Sequence, residues 1–158
     1  MTAAQSELIE RFYAAFARRD GTAMAGCYTP DVRFHDPAFG ELRGDEAGAM
    51  WRMLTARADD LEVRLNEHSA DGGQGSAHWL ADYTFSATGR PVHNDVRARF
   101  RFRDGLICDH EDHFSFWAWS RQALGPIGLA LGWTPLLRTR VRGEARAGLD
   151  AFRRAEPT

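Results

Sequence analysis

The sequence contains no lysine, only two cysteines and no long apolar run, and these absences exclude several classes of protein. Cys27 and Cys108 are isolated thiols, so neither a disulfide framework nor a zinc site is indicated. No apolar stretch reaches the roughly 18 residues that a membrane-spanning helix requires. The N-terminal segment has acidic residues and no apolar core, so we expect no signal peptide and a cytoplasmic location.

The charge balance also restricts the partners that we expect. The basic residues number 20, all arginine, against 22 acidic residues, for a formal net charge of −2. This balance provides no general attraction to nucleic acid or to an anionic membrane. The length of 158 residues suits one hydrophobic core. We therefore predict a single domain, in which residues 1–118 form the main body and 119–158 form a helical extension.

Hydrophobic periodicity predicts helices first and strands afterwards. Apolar residues recur at helical spacing after Ser6, the predicted N-cap, as far as Asp20-Gly21. Two more helices are predicted at 22–28 and 45–57, and strands at 31–35, 61–68, 76–87, 92–103 and 106–117. The four long strands are separated by short turns. This order predicts an α+β fold, a curved antiparallel sheet with helices packed on one face.

Asp36 is the first candidate for a functional side chain. It stands directly before Pro37, at the end of a short apolar strand. Proline restricts the backbone of the residue before it, so the carboxylate should be held in one direction, at the wall of an apolar pocket. The alternative is that Asp36 accepts hydrogen bonds from its own turn.

The last strand contains the second candidate group. His110 and Asp112 share one face with Cys108, Phe114 and Phe116, and that face should lie beneath the helices. The opposite register would bury two other acidic residues and expose the two phenylalanines. Buried together, His110 and Asp112 would either satisfy each other or form an acid/base set with Asp36.

An arginine stripe marks the opposite face of the sheet. Arginines at positions 97, 99, 101 and 103 alternate with apolar residues. The preceding strand offers Asp82 and Thr84 on the same face, and opposite charges on neighbouring strands pair. We therefore expect a paired or subunit-facing surface rather than a site for nucleic acid.

Four features of the sequence together resemble a known superfamily. They are the order of elements, the strand ending in Asp36-Pro37, the turn Thr88-Gly89-Arg90-Pro91 and the segment DGLICDHED. They are similar to the nuclear transport factor 2-like proteins, of the SnoaL-like polyketide cyclase and ketosteroid isomerase kind, over residues 6–118. The resemblance implies a cone-shaped sheet with the N-terminal helices on its concave face, an apolar cavity and a homodimer.

The resemblance also implies roles for individual residues. Asp36 corresponds to the aspartate that moves the proton in ketosteroid isomerase. The two oxyanion donors of that enzyme fall on Phe12 and Ala98, so steroid isomerisation by that mechanism is not expected. SnoaL-like cyclases use an acid/base aspartate on the late strands, for which Asp112, with His110, is the nearest match.

We therefore expect cofactor-free and metal-free proton transfer on an apolar ring substrate, by isomerisation, cyclisation or dehydration. The predicted catalytic residues are Asp36, His110 and Asp112. The predicted ligand-binding residues are Phe12, Trp51, Trp79, Tyr83, Asn94, Phe100 and Phe114. The alternatives are a non-catalytic domain that binds an apolar ligand and an interaction domain with a filled core.

The segment beyond Trp117 extends the implied cone. Residues 135–154 form an amphipathic helix with several arginines on its polar side. Packing on the domain, as a lid or at a dimer contact, is favoured over membrane binding because the apolar stripe is modest and acidic residues dilute the charge.

Overall fold

The computed structural model describes residues 2–157. Six helices and six strands follow one another, with the bounds α1 Thr2–Ala17, α2 Gly21–Ala25, β1 Tyr28–Asp36, β2 Gly40–Arg43, α3 Asp45–Arg57, β3 Glu62–Asp71, β4 Gln74–Phe85, β5 Arg90–Arg103, β6 Leu106–His113, α4 Phe116–Ala123, α5 Pro126–Leu131 and α6 Pro135–Ala155. The predicted α+β class is confirmed, and the predicted bounds of α3 are those observed.

The strands form one curved sheet in the order β2-β1-β6-β5-β4-β3. The meander from β3 to β6 is antiparallel throughout, as predicted. β1 joins the free edge of β6 in parallel, and β2 folds back on β1 as a short hairpin. The parallel pairing and the β2 strand were not predicted. They place the end of β1, which carries Asp36, beside the end of β6.

The core lies between the inner face of the sheet and helices α1, α2 and α3. Alternate residues of β5, including Val96, Ala98 and Phe100, are buried on this face, as predicted from the period of two. The apolar side of α1 covers them. The predicted cap at Ser6 is wrong, because α1 begins at Thr2 and continues through that position.

Two expectations about β6 need correction. The strand ends at His113 rather than Trp117, because Ser115 caps α4 by accepting a hydrogen bond from the Ala118 N–H at 3.1 Å. A register shift opposite β5 also buries Ile107 and leaves Cys108 half-exposed, so Cys108 does not share the inner face.

The arginine stripe is exposed on the outer face of β5, but its predicted partners are wrong. Asp82 binds His93 at 2.7 Å, and the Thr84 hydroxyl binds Asp60 at 2.6 Å. Across the described chain, the stripe arginines at 97, 99 and 101 form no salt bridge, whereas Arg103 pairs with Asp31.

The C-terminal helices cover one end of the cone, which we call the α4 end. Phe116, Trp119 and Ala123 of α4 form a second apolar cluster with Val92 at the start of β5. α6 then runs back along the domain, where Leu149 is buried and Glu156 pairs with Arg52 at 2.7 Å. The large exposed apolar side chains lie in this extension and its linkers: Trp117, Ile127, Leu129, Leu131, Trp133 and Leu136. Among the helices described here, none is long and apolar enough to cross a bilayer.

Candidate active site

Asp36 ends β1 and faces the interior at the α4 end. Its Oδ1 accepts hydrogen bonds from the N–H groups of Ala38 at 2.9 Å and Phe39 at 2.6 Å, so the turn interaction considered above is present. The residue is also only 8% exposed. Burial is the main cause that raises the pKa of Asp36 to about 7. The hydrogen bond from Phe39 opposes this effect, and the nearby charge of Asp112 adds to it. Near neutral pH, this carboxyl can therefore both accept and return a proton.

His110 and Asp112 lie on the inner face of β6, as the register argument predicted. His110 Nε2 lies 2.9 Å from Asp112 Oδ1, and His110 Nδ1 lies 2.8 Å from the Tyr28 hydroxyl. Trp51 Nε1 donates to the same hydroxyl at 2.7 Å. A carboxylate can only accept, so the network assigns a proton to Nε2, and in the neutral imidazole Tyr28 donates to Nδ1.

This network satisfies both imidazole nitrogens and encloses the ring. His110 is fully buried, and its ring centroid lies 4.6 Å from that of Phe100 and 5.1 Å from that of Phe34. His110 therefore holds the carboxylate of Asp112 in place. Asp112 in turn acts on Asp36 through its charge, since no hydrogen bond joins the two side chains.

Four of the predicted ligand-binding residues lie deep in the aromatic core. Phe12, Trp51, Trp79 and Phe100 are each at most 5% exposed. Phe16 fills the space between the two tryptophans, with ring centroids 4.9 Å from Trp51 and 5.3 Å from Trp79. Two open clefts occur elsewhere, one on the outer face of the sheet and one beside α2. The predicted cavity is therefore not confirmed.

The other three predicted ligand-binding residues lie nearer the α4 end. Tyr83 is close enough to Asp36 for that charge to add to the effect of burial in raising the pKa of the phenol. Its hydroxyl accepts a hydrogen bond from Trp119 Nε1 at 2.9 Å. Phe114 packs against both apolar clusters. Asn94 is half-buried, and its side chain forms no hydrogen bond with a described residue.

The structure adds functional candidates that the sequence reasoning missed. The sequence predicts Tyr28 at the end of a helix, whereas it begins β1. The inward alternation of Val32, Phe34 and Asp36 is interrupted before it reaches Tyr28. Buried polar atoms without a hydrogen-bond partner include the Tyr13 hydroxyl and Trp79 Nε1. Within residues 2–157, no three His, Cys, Asp or Glu side chains form a group able to hold a metal ion.

Comparison with solved structures supports the fold at low sequence identity. A protein of ketosteroid isomerase-like fold from Catenulispora acidiphila, in complex with trimethylamine, is 20% identical, with a TM-score of 0.67 over 82% of this chain and 98% of that one. An LEH-like epoxide hydrolase from M. tuberculosis is 20% identical, with a TM-score of 0.66 over 82% and 97%. TerC, co-crystallised with polyporic acid, is 21% identical, with a TM-score of 0.65 over 77% and 98%.

Comparison by sequence identifies the family to which the chain belongs. No curated protein sequence matches the chain significantly. The family model described as the SnoaL-like domain matches residues 9–110, which run from α1 to the buried His110 of β6. The match covers more than half of the chain and contains Asp36 and the residues of the hydrogen-bonded network around His110, apart from Asp112. The chain therefore belongs to the SnoaL-like domain family, within the nuclear transport factor 2-like fold.

Proposed function

We propose that this protein catalyses acid/base proton transfer on an apolar ring compound that carries a carbonyl group, with Asp36 as the catalytic residue. The observation that carries this proposal is the buried carboxyl of Asp36, which faces the interior, is aimed by two backbone N–H groups and has a pKa of about 7. A carboxyl that only stabilises a turn gains nothing from such burial. Perturbed carboxyls of this kind are concentrated at catalytic sites.

The step that this geometry supports is enolisation. Asp36 removes a proton from the carbon next to the carbonyl, the C–H electron pair forms a C=C bond, and the carbonyl π pair moves to oxygen. In a substrate with a C=C bond next to the enolised carbon, return of the proton to the far carbon of the resulting dienolate completes an isomerisation. Alternatively, the enolate carbon attacks a second carbonyl, whose π pair moves to its oxygen, and that oxygen takes the proton from Asp36 to complete a cyclisation. Asp112, held by His110, favours the protonated form of Asp36 through its charge and so helps to set the pKa of the base.

The ligand is placed at the α4 end, between Asp36, Tyr83, Asn94 and Phe114. Phe12, Trp51, Trp79 and Phe100 form the aromatic floor below it. Because the aromatic core below this end is packed, binding there requires α4 and α6 to move outward. Similar folds accept small molecules, since TerC was co-crystallised with polyporic acid. No cofactor or metal is required for this chemistry.

The second candidate function is a binding domain without catalysis. It is favoured by the absence of the two oxyanion donors, because apolar Phe12 and Ala98 stand at those positions. In that case Asp36 would only orient a ligand.

A thermal-shift screen of apolar ketones, phenols and fatty acids tests the proposal. We expect at least one ketone to stabilise both the wild type and Asp36→Asn, and only the wild type to form product. Asn keeps the acceptor oxygen for the backbone N–H groups and cannot take the proton, so turnover should fall by about two orders of magnitude or more. Stabilisation of both proteins without product from either would favour the binding domain.

A further inference from the structure

Arg142 is a half-buried cation of α6 that takes no part in the proposed proton transfer. Its Nε is buried without a hydrogen-bond partner, and no described residue forms a hydrogen bond or salt bridge with its guanidinium. The guanidinium of Arg146, one turn later, does have partners. It donates hydrogen bonds to Glu46 Oε2 at 3.2 Å and to the Glu41 carbonyl at 2.9 Å. A buried donor without a partner is costly, and it indicates that an acceptor is missing.

The backbone of the β1–β2 hairpin is shaped to receive this side chain. Gly40 is the ladder partner of Asp36. It has φ = +72°, and a Cβ atom there would lie 3.0 Å from both Cδ and Nε of Arg142. Any other residue at position 40 would therefore crowd the guanidinium and strain the backbone. Glycine at this position lets Arg142 lie against the strand directly opposite Asp36.

Arg142 affects the pKa of Asp36 without forming a hydrogen bond to it. Asp36 accepts its hydrogen bonds from backbone N–H groups, so the carboxylate does not occupy the guanidinium donors of Arg142. The cation nevertheless lies close enough to lower the pKa of Asp36, although burial dominates and keeps that pKa raised. Asp36 and a free cationic donor thus lie side by side at the α4 end.

We propose that Arg142 binds an anionic oxygen of the ring substrate, either a carboxylate of the substrate or the enolate oxygen that forms when Asp36 removes the proton. This inference rests on the proposed function and names the class of substrate, an acidic or enolisable ring compound. It also gives the C-terminal extension a role, because α6 lies outside the matched residues 9–110 and supplies a binding group to the site within them. The planar guanidinium suits oxyanions, since its N–H donors can reach both oxygens of a carboxylate.

Calorimetric titration with 2-naphthoate and its neutral analogue 2-naphthamide tests the proposal. We expect the wild type to prefer naphthoate, and Arg142→Ala to weaken naphthoate binding about tenfold or more while changing naphthamide binding less than about twofold. The matched control Arg146→Ala should leave the preference for naphthoate intact. Gly40→Ala, which displaces the guanidinium without removing its charge, should reduce the same preference.

Three outcomes would overturn the proposal. They are absence of naphthoate binding to the wild type, equal weakening of both ligands by Arg142→Ala, and loss of the naphthoate preference in Arg146→Ala as well. Melting temperatures of the variants separate lost binding from lost folding. The proposed function fails separately: if Asp36→Asn turns over a ketone as fast as the wild type, Asp36 is not the base, whatever the naphthoate titrations show.

Discussion

At the scale of the residue, the site depends on one carboxyl whose environment opposes its ionisation. Burial outweighs the two backbone hydrogen bonds that Asp36 accepts, so its pKa lies at about 7 rather than at its ordinary 3.8. Between these two values the native protein retains a proton that the unfolded chain has lost. The contribution of Asp36 to the free energy of unfolding is therefore complete below about pH 4 and decreases as the pH rises to about 7.

Asp36→Asn should remove the decrease in stability that ionisation of Asp36 causes between about pH 4 and pH 7. The variant should resemble the wild type in stability near pH 4 and exceed it by up to about 4 kcal/mol at pH 8, because one pKa unit corresponds to about 1.4 kcal/mol. Urea unfolding between pH 4 and pH 8 measures the difference. The exposed control Asp150→Asn should follow the wild type at every pH. A difference between Asp36→Asn and the wild type that does not change with pH would show that the carboxyl is ionised throughout.

Some individual residues could be predicted from the sequence, and others could not. The inner positions of His110 and Asp112 follow from alternation along β6, because a shift by one residue would bury two other acids. Their partner Tyr28 lies 82 residues from His110, and the hydrogen bond depends on the parallel pairing of β1 with β6. Local periodicity contains no information about which strands become neighbours, so neither Tyr28 nor Arg142 could be assigned to the site.

At the scale of the element, the cover over the α4 end depends on close contact between α4 and α5. A Cβ atom on Gly128 would lie 1.9 Å from the Ser120 carbonyl oxygen. Gly128→Ala should therefore separate the two helices and lower the melting temperature by several degrees. The matched control is Gly143→Ala in α6, where a Cβ atom would meet nothing within 4 Å.

Gly143→Ala should raise the stability by roughly 0.5–1 kcal/mol, because alanine is more favourable than glycine in an exposed helix interior. Differential scanning calorimetry compares the two variants. Equal effects of both substitutions would contradict the close contact between α4 and α5.

At the scale of the whole molecule, we predict a homodimer formed through the outer face of the sheet. Arg99 and Arg101 of β5 lie opposite Glu111 and Asp109 of β6, so this face carries both signs of charge. In a two-fold arrangement the arginines of one copy would lie beside the carboxylates of the other, which Arg33 of their own chain also binds. Light scattering should therefore give the mass of a dimer for the wild type and of a monomer for Arg99→Glu/Arg101→Glu.

The exposed apolar surface on the C-terminal helices provides the control for this prediction. Trp133→Ser removes a side chain that is 73% exposed and should leave the dimer intact. A monomeric wild type would contradict the prediction. A dimer that dissociates in Trp133→Ser and persists in the double arginine variant would place the contact on the C-terminal helices instead.

The central claim is that Asp36 moves a proton on a bound ring compound, and deuterium exchange measures this step without knowledge of the product. The probe is 2-tetralone in D₂O, with incorporation at the carbon next to the carbonyl followed by proton NMR. We predict that the wild type accelerates incorporation over buffer, that the rate rises with pH through about 7 as Asp36 ionises, and that Asp36→Asn binds the probe without acceleration. Equal exchange rates for the wild type and Asp36→Asn, with the probe bound to both, would contradict the claim.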